Sequence, residues 1–301
     1  MMTRILILAG GISDEREVSL RSGKAVYDAL ANNRKFLVTL IDYNGLFEPS
    51  LFKDYDVVFS VLHGRGGEDG SLQAQLELLD VTFVGTDAQA SSLCFDKIQY
   101  KSFLMSHDLP TPGGEIVDVD SFWTSEYISS PFVLKPNDGG SSIDTLLVHD
   151  TSLIDKSVVK DLFSRHDTML VEMLIEGDEI TVAVINDQAL PVIEIIPPGE
   201  AEFDYENKYN GKTQELCPPK NVSQELQTKS QILAEEIHIL CGCRDYSRTD
   251  MIIRGQEIWV LETNTLPGMT TQSLLPKAAA TVGINMASLT SLLVEAACQR
   301  Q

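Results

Sequence analysis

Arg248-Thr249-Asp250 and Glu262-Thr263-Asn264 are the residues of this 301-residue chain with the clearest capacity for chemistry. They stand on two apolar runs, Tyr246 to Ile253 and Ile258 to Glu262, joined by a polar turn around Gly255. Strand side chains alternate, so Glu262 and Asn264 share a face. A three-residue hairpin loop predicts Asp250 directly opposite Glu262, and Arg248 projects to the same side. Two carboxylates and an amide form the hard oxygen set that Mg²⁺ favours, with positions left for water and phosphate oxygens. A lone acidic residue at a strand end is commonly just solvated. The metal reading comes from three such ligands together with an arginine, followed at once by Thr265-Leu266-Pro267-Gly268-Met269-Thr270.

Other segments offer phosphate chemistry. Lys135 ends an apolar strand and precedes Asn137-Asp138-Gly139-Gly140-Ser141-Ser142. Glycines let backbone approach a phosphate, and successive N–H groups and hydroxyls can donate to its oxygens, although the same stretch is equally an ordinary flexible hairpin. Lys97, beside Asp96 on a helix, has the solvated surface lysine as its plain alternative. Pro197 to Pro219 lacks periodicity and is either a surface excursion or an active-site lid. As a lid it would bring Lys208 to phosphate and Tyr209 to the reacting centre. Glu172 and Glu179 flank a short linker that could offer an adenine its backbone amides and carboxylates.

The elements that must carry these groups fall into three textures. Ile5 to Ala9, Gly10-Gly11 and a helix with the stripe Val18, Ser22, Ala25, Val26, Ala29 and Leu30 read as strand, turn and helix. Asp56 to Leu62, the loop His63 to Gly70 and a helix carrying Leu72, Leu76 and Leu79 repeat that plan, and Val81 to Val84 adds a strand. Alternating strands and helices imply a parallel sheet with its ligand site beyond the strand carboxyl ends, where both glycine-rich loops lie. A second unit begins near Ser91 with a helix through Lys97 and Phe103. It continues with strands at Phe132 to Lys135, Leu146 to His149, Met169 to Ile175 and Glu179 to Ile185. The third unit runs from about Glu179 through Leu190 to Ile196, a helix from Ser223 to Leu240, the hairpin, and a terminal helix from Asn285. The fold class is thus α/β and α+β in three domains, 1–90, 91–178 and 179–301, with a lid at about 197–219.

Composition limits the partners. A formal charge of −21, from 44 acidic against 23 basic residues, repels nucleic acid and acidic membrane surfaces. An anionic substrate therefore requires locally concentrated cations or metal. Five scattered cysteines suit a reducing compartment, and the single C-x-C at Cys241 and Cys243 lacks the second ligand pair of a zinc site. The opening apolar run is too short to span a bilayer, so no membrane attachment and a cytoplasmic location are expected.

In order, these segments resemble the ATP-grasp ligases, and more narrowly the D-alanine:D-alanine ligase family, over essentially the whole chain. The resemblance is carried by Gly10-Gly11-Ile12-Ser13 through Ser19, Leu62-His63-Gly64 through Gly70, Lys135-Pro136 with Gly140-Ser141-Ser142, Lys208-Tyr209, Arg248-Thr249-Asp250, and Glu262-Thr263-Asn264 with Pro267 to Thr270. It implies an ATP-grasp architecture in which ATP lies between the second and third units, bridged by two Mg²⁺ ions that Mn²⁺ can replace. By resemblance, Asp250, Glu262 and Asn264 are metal ligands. Lys97, Lys135, Ser142 and Lys208 hold phosphates, and Glu172 and Glu179 serve adenine and ribose. Glu15 grips the ammonium of a first D-alanine, supported by Ser141 and Tyr209, with Val18 and His63 beside it. Arg248 and the Gly268 N–H stabilise an oxyanion, and Ser273 and Leu274 receive a second D-alanine.

The same resemblance implies ligation through an acyl phosphate, a role in peptidoglycan precursor synthesis, and a homodimer formed through the N-terminal unit. Two departures stand out: Ile143-Asp144 where many members have Val-Gly, and Met173 where some have lysine. Tyr209 is the residue expected of an amide-forming rather than a D-lactate-using ligase. The rival readings are an ATP-grasp ligase for another small acid, disfavoured by the N-terminal motifs, and a non-catalytic nucleotide binder, disfavoured by the intact Arg248, Asp250, Glu262 and Asn264.

Overall fold

The first strand, β1 (Thr3–Gly10), shows why its apolar run does not alternate. Ile5 and Ile7 enter one core, while Leu6 and Leu8 enter another on the opposite face, and all four are fully buried. The structure, a computed structural model, describes residues 2–140, 143–197 and 213–300. With β2 (Phe36–Tyr43), β3 (Val57–Ser60) and β4 (Phe83–Val84), β1 makes a parallel sheet of order β2-β1-β3-β4. The sequence reading passed over β2. The expected parallel sheet is present, and the chain crosses from one flank of β1 to the other, so the loops after β1 and β3 open side by side. Ser19 joins them: its Oγ donates to the Val61 carbonyl at 2.6 Å and accepts from the Gly10 N–H at 2.9 Å.

Helix α1 (Arg16–Ala31) buries Ser19, Ser22, Gly23, Val26 and Leu30, a stripe rotated from the one expected. A β-carbon on Gly23 would lie 2.4 Å from that of Ala9, so the small residues mark the true contact face. Val18, Ala25 and Ala29 instead line a cavity. Helix α2 (Ser71–Leu78) covers the other face of the sheet through Leu72 and Leu76, and Leu79 lies beyond its end, half-exposed. The single helix expected through Lys97 is two, α3 (Ala88–Phe95) and α4 (Lys97–Ser106). Asp96 is extended between them and caps the second by accepting from the Gln99 N–H.

The second sheet is antiparallel, of order β5-β8-β6-β7, built from β5 (Gly114–Val117), β6 (Phe132–Lys135), β7 (Leu146–Val148) and β8 (Met169–Met173), with α5 (Lys156–Arg165) packed on it. The third comprises β9 (Asp178–Ile185), β10 (Gln188–Ala189), β11 (Ile193–Ile196), β12 (Gln214–Leu216), β13 (Tyr246–Arg254) and β14 (Glu257–Asn264). Its order is β12-β11-β9-β13-β14, and β10 pairs with β9. Helix α6 (Gln224–Leu240) backs this sheet, with Ser223, the expected first residue, outside it as its N-terminal cap. Helices α7 (Leu274–Thr281) and α8 (Met286–Gln299) complete the chain, the latter capped by Asn285. Leu289, Leu293 and Val294 of α8 share a core with Ile5 and Val26, so the last helix lies against the first sheet. Among the described residues, no single helix is long and apolar enough to cross a membrane.

Candidate active site

Asp250 faces Glu262 across the β13–β14 pair, as expected, but by a different route. The turn holds two residues, Gly255 and Gln256, because Arg254 pairs with Glu257, and Gly255 takes a φ of +66° there. Continued unbroken, that register would set Asp250 against Leu261. A bulge between Asp250 and Met251 absorbs Leu261 and restores the carboxylate pair. Asn264 then stands opposite Arg248.

Arg248 grips Asp250 with two bonds, Nε to Oδ1 at 2.9 Å and Nη2 to Oδ2 at 2.8 Å, and the Thr181 hydroxyl donates to Oδ1 at 2.5 Å. Burial alone would lower the Arg248 pKa; the Asp250 charge outweighs it and holds the guanidinium firmly protonated. The Lys97 ammonium lies 3.7 Å from a Glu262 oxygen. Among the described residues, no group of three or more His, Cys, Asp or Glu could hold a metal alone. Two carboxylates and an amide therefore do not make an all-protein cage. They fit an ion such as Mg²⁺ that shares its shell with phosphate and water.

A cavity of about 520 Å³ opens between the second and third sheets, lined by Lys97, Lys135, Glu172, Met173, Glu179 and Glu262 among others. Glu172 is buried and bridges two lysines: Lys135, and Lys101 at 2.6 Å. The sequence reading missed Lys101. It is fully buried one turn beyond Lys97 on α4, and donates to the Thr111 hydroxyl at 3.2 Å and the Pro112 carbonyl at 2.9 Å. Its only mark in the sequence is a position four residues after Lys97, which does not separate it from a surface lysine. Burial lowers the pKa of Lys97 and of Lys101. For Lys135 burial acts the same way, but Glu172 and Glu262 reverse it and raise the value. Burial would raise Glu172, and its two lysines hold it low instead. Lys97 also donates to the Gly139 carbonyl at 2.6 Å, tying α4 to the glycine-rich loop.

A larger cavity, about 1370 Å³, is lined by Glu15, Val18, His63, Glu68, Arg248, Gly268, Ser273 and Leu274, among others. Glu15, Gly140, Asp250 and Glu262 line both cavities, so the two meet at these residues. Glu15 sits at the N-terminal boundary of α1, and a side chain on Gly140 would meet its carboxylate at 3.4 Å. Buried His63 has its Nδ1 3.1 Å from the Leu266 carbonyl, which fixes the proton on Nδ1. Nε2 then accepts from the Ser22 hydroxyl at 3.1 Å, while Ser22 accepts from the Met269 N–H at 3.3 Å. This relay holds the loop bearing Gly268 against α1. Glu68, 3.4 Å from His63 Nδ1, was not singled out from sequence; burial raises its pKa. A β-carbon on Gly268 would lie 2.8 Å from Ser273 Oγ, the hydroxyl that accepts from the Thr270 N–H at 3.1 Å.

The expected site residues Ser141, Ser142, Lys208 and Tyr209, and most of the expected lid, lie outside the described residues. The remaining fourteen all line one or both cavities: Glu15, Val18, His63, Lys97, Lys135, Glu172, Glu179, Arg248, Asp250, Glu262, Asn264, Gly268, Ser273 and Leu274.

Comparison with known proteins places this geometry in context. The family model for the D-ala D-ala ligase C-terminus matches residues 121–295, and that for the D-ala D-ala ligase N-terminus matches residues 44–86. The D-alanine–D-alanine ligase of Syntrophotalea carbinolica is 38% identical, with 99% of this chain and 97% of that protein covered. Among solved structures, the D-alanine–D-alanine ligase of Bacillus anthracis complexed with ATP superposes with a TM-score of 0.83 at 29% identity, covering 99% of this chain and 98% of that one. The VanG D-Ala:D-Ser ligase of Enterococcus faecalis gives a TM-score of 0.83 at 26% identity, covering 99% and 100%.

Proposed function

The chain belongs to the D-alanine–D-alanine ligase family, and from that premise we propose how its residues do the work. It is an ATP-dependent ligase of ATP-grasp fold that joins two D-alanine molecules for peptidoglycan precursor synthesis. The observation that carries the residue-level reading is the junction of the two cavities at Glu15, Gly140, Asp250 and Glu262. ATP occupies the smaller cavity, its triphosphate directed at that junction, with Lys97 and Lys135 as the phosphate-binding cations. Both alanines occupy the larger cavity.

The first D-alanine is held by its ammonium at Glu15, near Val18 and His63. A carboxylate is a poor electrophile, so one of its oxygens attacks the γ-phosphorus, ADP leaves and an acyl phosphate forms. The amine of the second D-alanine, seated by Ser273 and Leu274, attacks the carbonyl carbon. The resulting oxyanion is met by Arg248 and the Gly268 N–H, and loss of phosphate leaves the amide. Asp250, Glu262 and Asn264 would hold Mg²⁺, which would supply charge neutralisation on the phosphates. Lys101 has a positioning role: with Lys135 it fixes the Glu172 carboxylate at the cavity wall. The three units 1–90, 91–178 and 179–301 serve as first-substrate, nucleotide and catalytic parts of a cytoplasmic homodimer.

Phosphate release with ATP, Mg²⁺ and a panel of amines and acids tests the reading. The expected outcome is one phosphate per dipeptide with D-alanine and little with L-alanine or D-lactate. Comparable release with D-serine as acceptor would move the acceptor assignment toward the D-Ala:D-Ser type, and release with an unrelated acid would overturn it.

A further inference from the structure

Asp144 adopts a backbone conformation that its β-carbon disfavours, and the groups that hold it there border the nucleotide cavity. Its φ of +56° is left-handed. Its carboxylate accepts from His166 Nε2 at 2.6 Å and from the Arg165 guanidinium, and is only 16% exposed. Arg165 ends α5 and His166 follows it, where the helix carbonyl end also favours cationic side chains. Ile143, Asp144, Thr145 and His166 all line the cavity assigned to ATP.

The other side of the same β6–β7 connection is fixed to a different element. Asn137 Nδ2 donates to Asp96 at 2.9 Å, Asn137 Oδ1 accepts from the Ile98 N–H at 3.0 Å, and the Gly139 carbonyl accepts from Lys97. The connection is thus anchored to α4 before Gly140 and to α5 after Ile143. A glycine at 144 would take the same φ without strain but could not make the second anchor.

We propose that Asp144 is a positioning residue for the nucleotide: its ion pair with Arg165 and its hydrogen bond to His166 fix the exit of the β6–β7 connection at residues 143–145, so that ATP meets backbone already in place there. Preorganisation of this kind acts on affinity, because binding no longer has to order the segment. The inference rests on the assignment of the smaller cavity to ATP.

The test measures KM for ATP, KM for D-alanine and kcat on the full-length enzyme, for wild type, Asp144→Gly and Asp144→Asn. Asp144→Gly keeps the backbone shape and removes the tether. It should raise KM for ATP roughly tenfold, the scale of one charge-assisted hydrogen bond, with the D-alanine constants and thermal midpoint near wild type. Asn tolerates the left-handed φ and still accepts a hydrogen bond, so its KM for ATP should fall between the two. An unchanged KM for ATP in Asp144→Gly, or an equal loss in every constant, would overturn the inference. If the glycine variant fails to fold, Asp144→Asn decides alone by the same criteria. A wild type that binds no ATP would overturn the cavity assignment and this inference with it. A wild type that binds ATP beside an unaffected Asp144→Gly would overturn this inference only.

Discussion

On the third-sheet wall of the cavity assigned to ATP two carboxylates, Asp250 and Glu262, stand beside a single guanidinium, Arg248; on the opposite side Lys97 and Lys135 line the cavity, and Lys135 shares the carboxylate of Glu172 with buried Lys101 behind it. The first wall has an acidic surplus and the second a basic one. Uncompensated charge in a half-buried site is costly, so each surplus indicates what is to be bound: a cation on one wall, an anion on the other. A metal-bound triphosphate supplies both. The contrast also explains how a chain with a formal charge of −21 can hold ATP, because Lys97 and Lys135 set a local basic surplus on one side of this cavity against the average field.

If the acidic wall is the metal wall, Glu262→Gln should lower kcat by a factor on the order of a thousand or more while leaving the circular dichroism spectrum intact. Arg248→Met should lower kcat roughly a hundred- to a thousandfold, as expected for loss of an oxyanion donor. Steady-state assays check both, and near-normal turnover in either would break the contrast. The basic wall should fail differently. Lys101→Met removes one of the two cations from buried Glu172 and should cost about 3 kcal/mol of stability in urea unfolding. A stability equal to wild type would mean that Lys135 alone suffices.

The smallest effect concerns acid. Unfolded, Glu172 has a carboxylate's ordinary value of 4.5, and folded it lies lower. Its stabilising contribution is therefore full above 4.5 and is lost as pH falls through the folded value. The thermal midpoint of wild type should drop more steeply below pH 4.5 than that of Glu172→Gln. Parallel curves would remove Glu172 from the account.

These two walls were unequally legible in the sequence. The acidic wall is local: its ligands lie on one hairpin, and strand alternation puts them on one face. Even so, the Asp250–Glu262 register came out right through two compensating differences, a shorter turn and a bulge, which hydrophobic pattern does not encode. The basic wall is assembled from α4, β6 and β8, so Lys101 could not be told from a surface lysine until tertiary packing enclosed it. The N-terminal sheet was legible from its continuous apolar strands. Strand β2, half-exposed along most of its length, was not, and the face of α1 was misjudged because the real contact uses Ser19, Ser22 and Gly23 rather than large apolar residues. The helix break at Asp96 was hidden for a related reason: a cap between two helices looks, in sequence, like one helix with a polar residue.

The most direct test of the two-wall account is electron paramagnetic resonance of Mn²⁺ added with ATP to wild type and to Glu262→Gln. The account predicts a protein-bound Mn²⁺ signal in wild type that requires ATP and is reduced or lost in the variant, while Mg²⁺-free ATP binding persists through the lysines. Equal Mn²⁺ signals in the two proteins would contradict it.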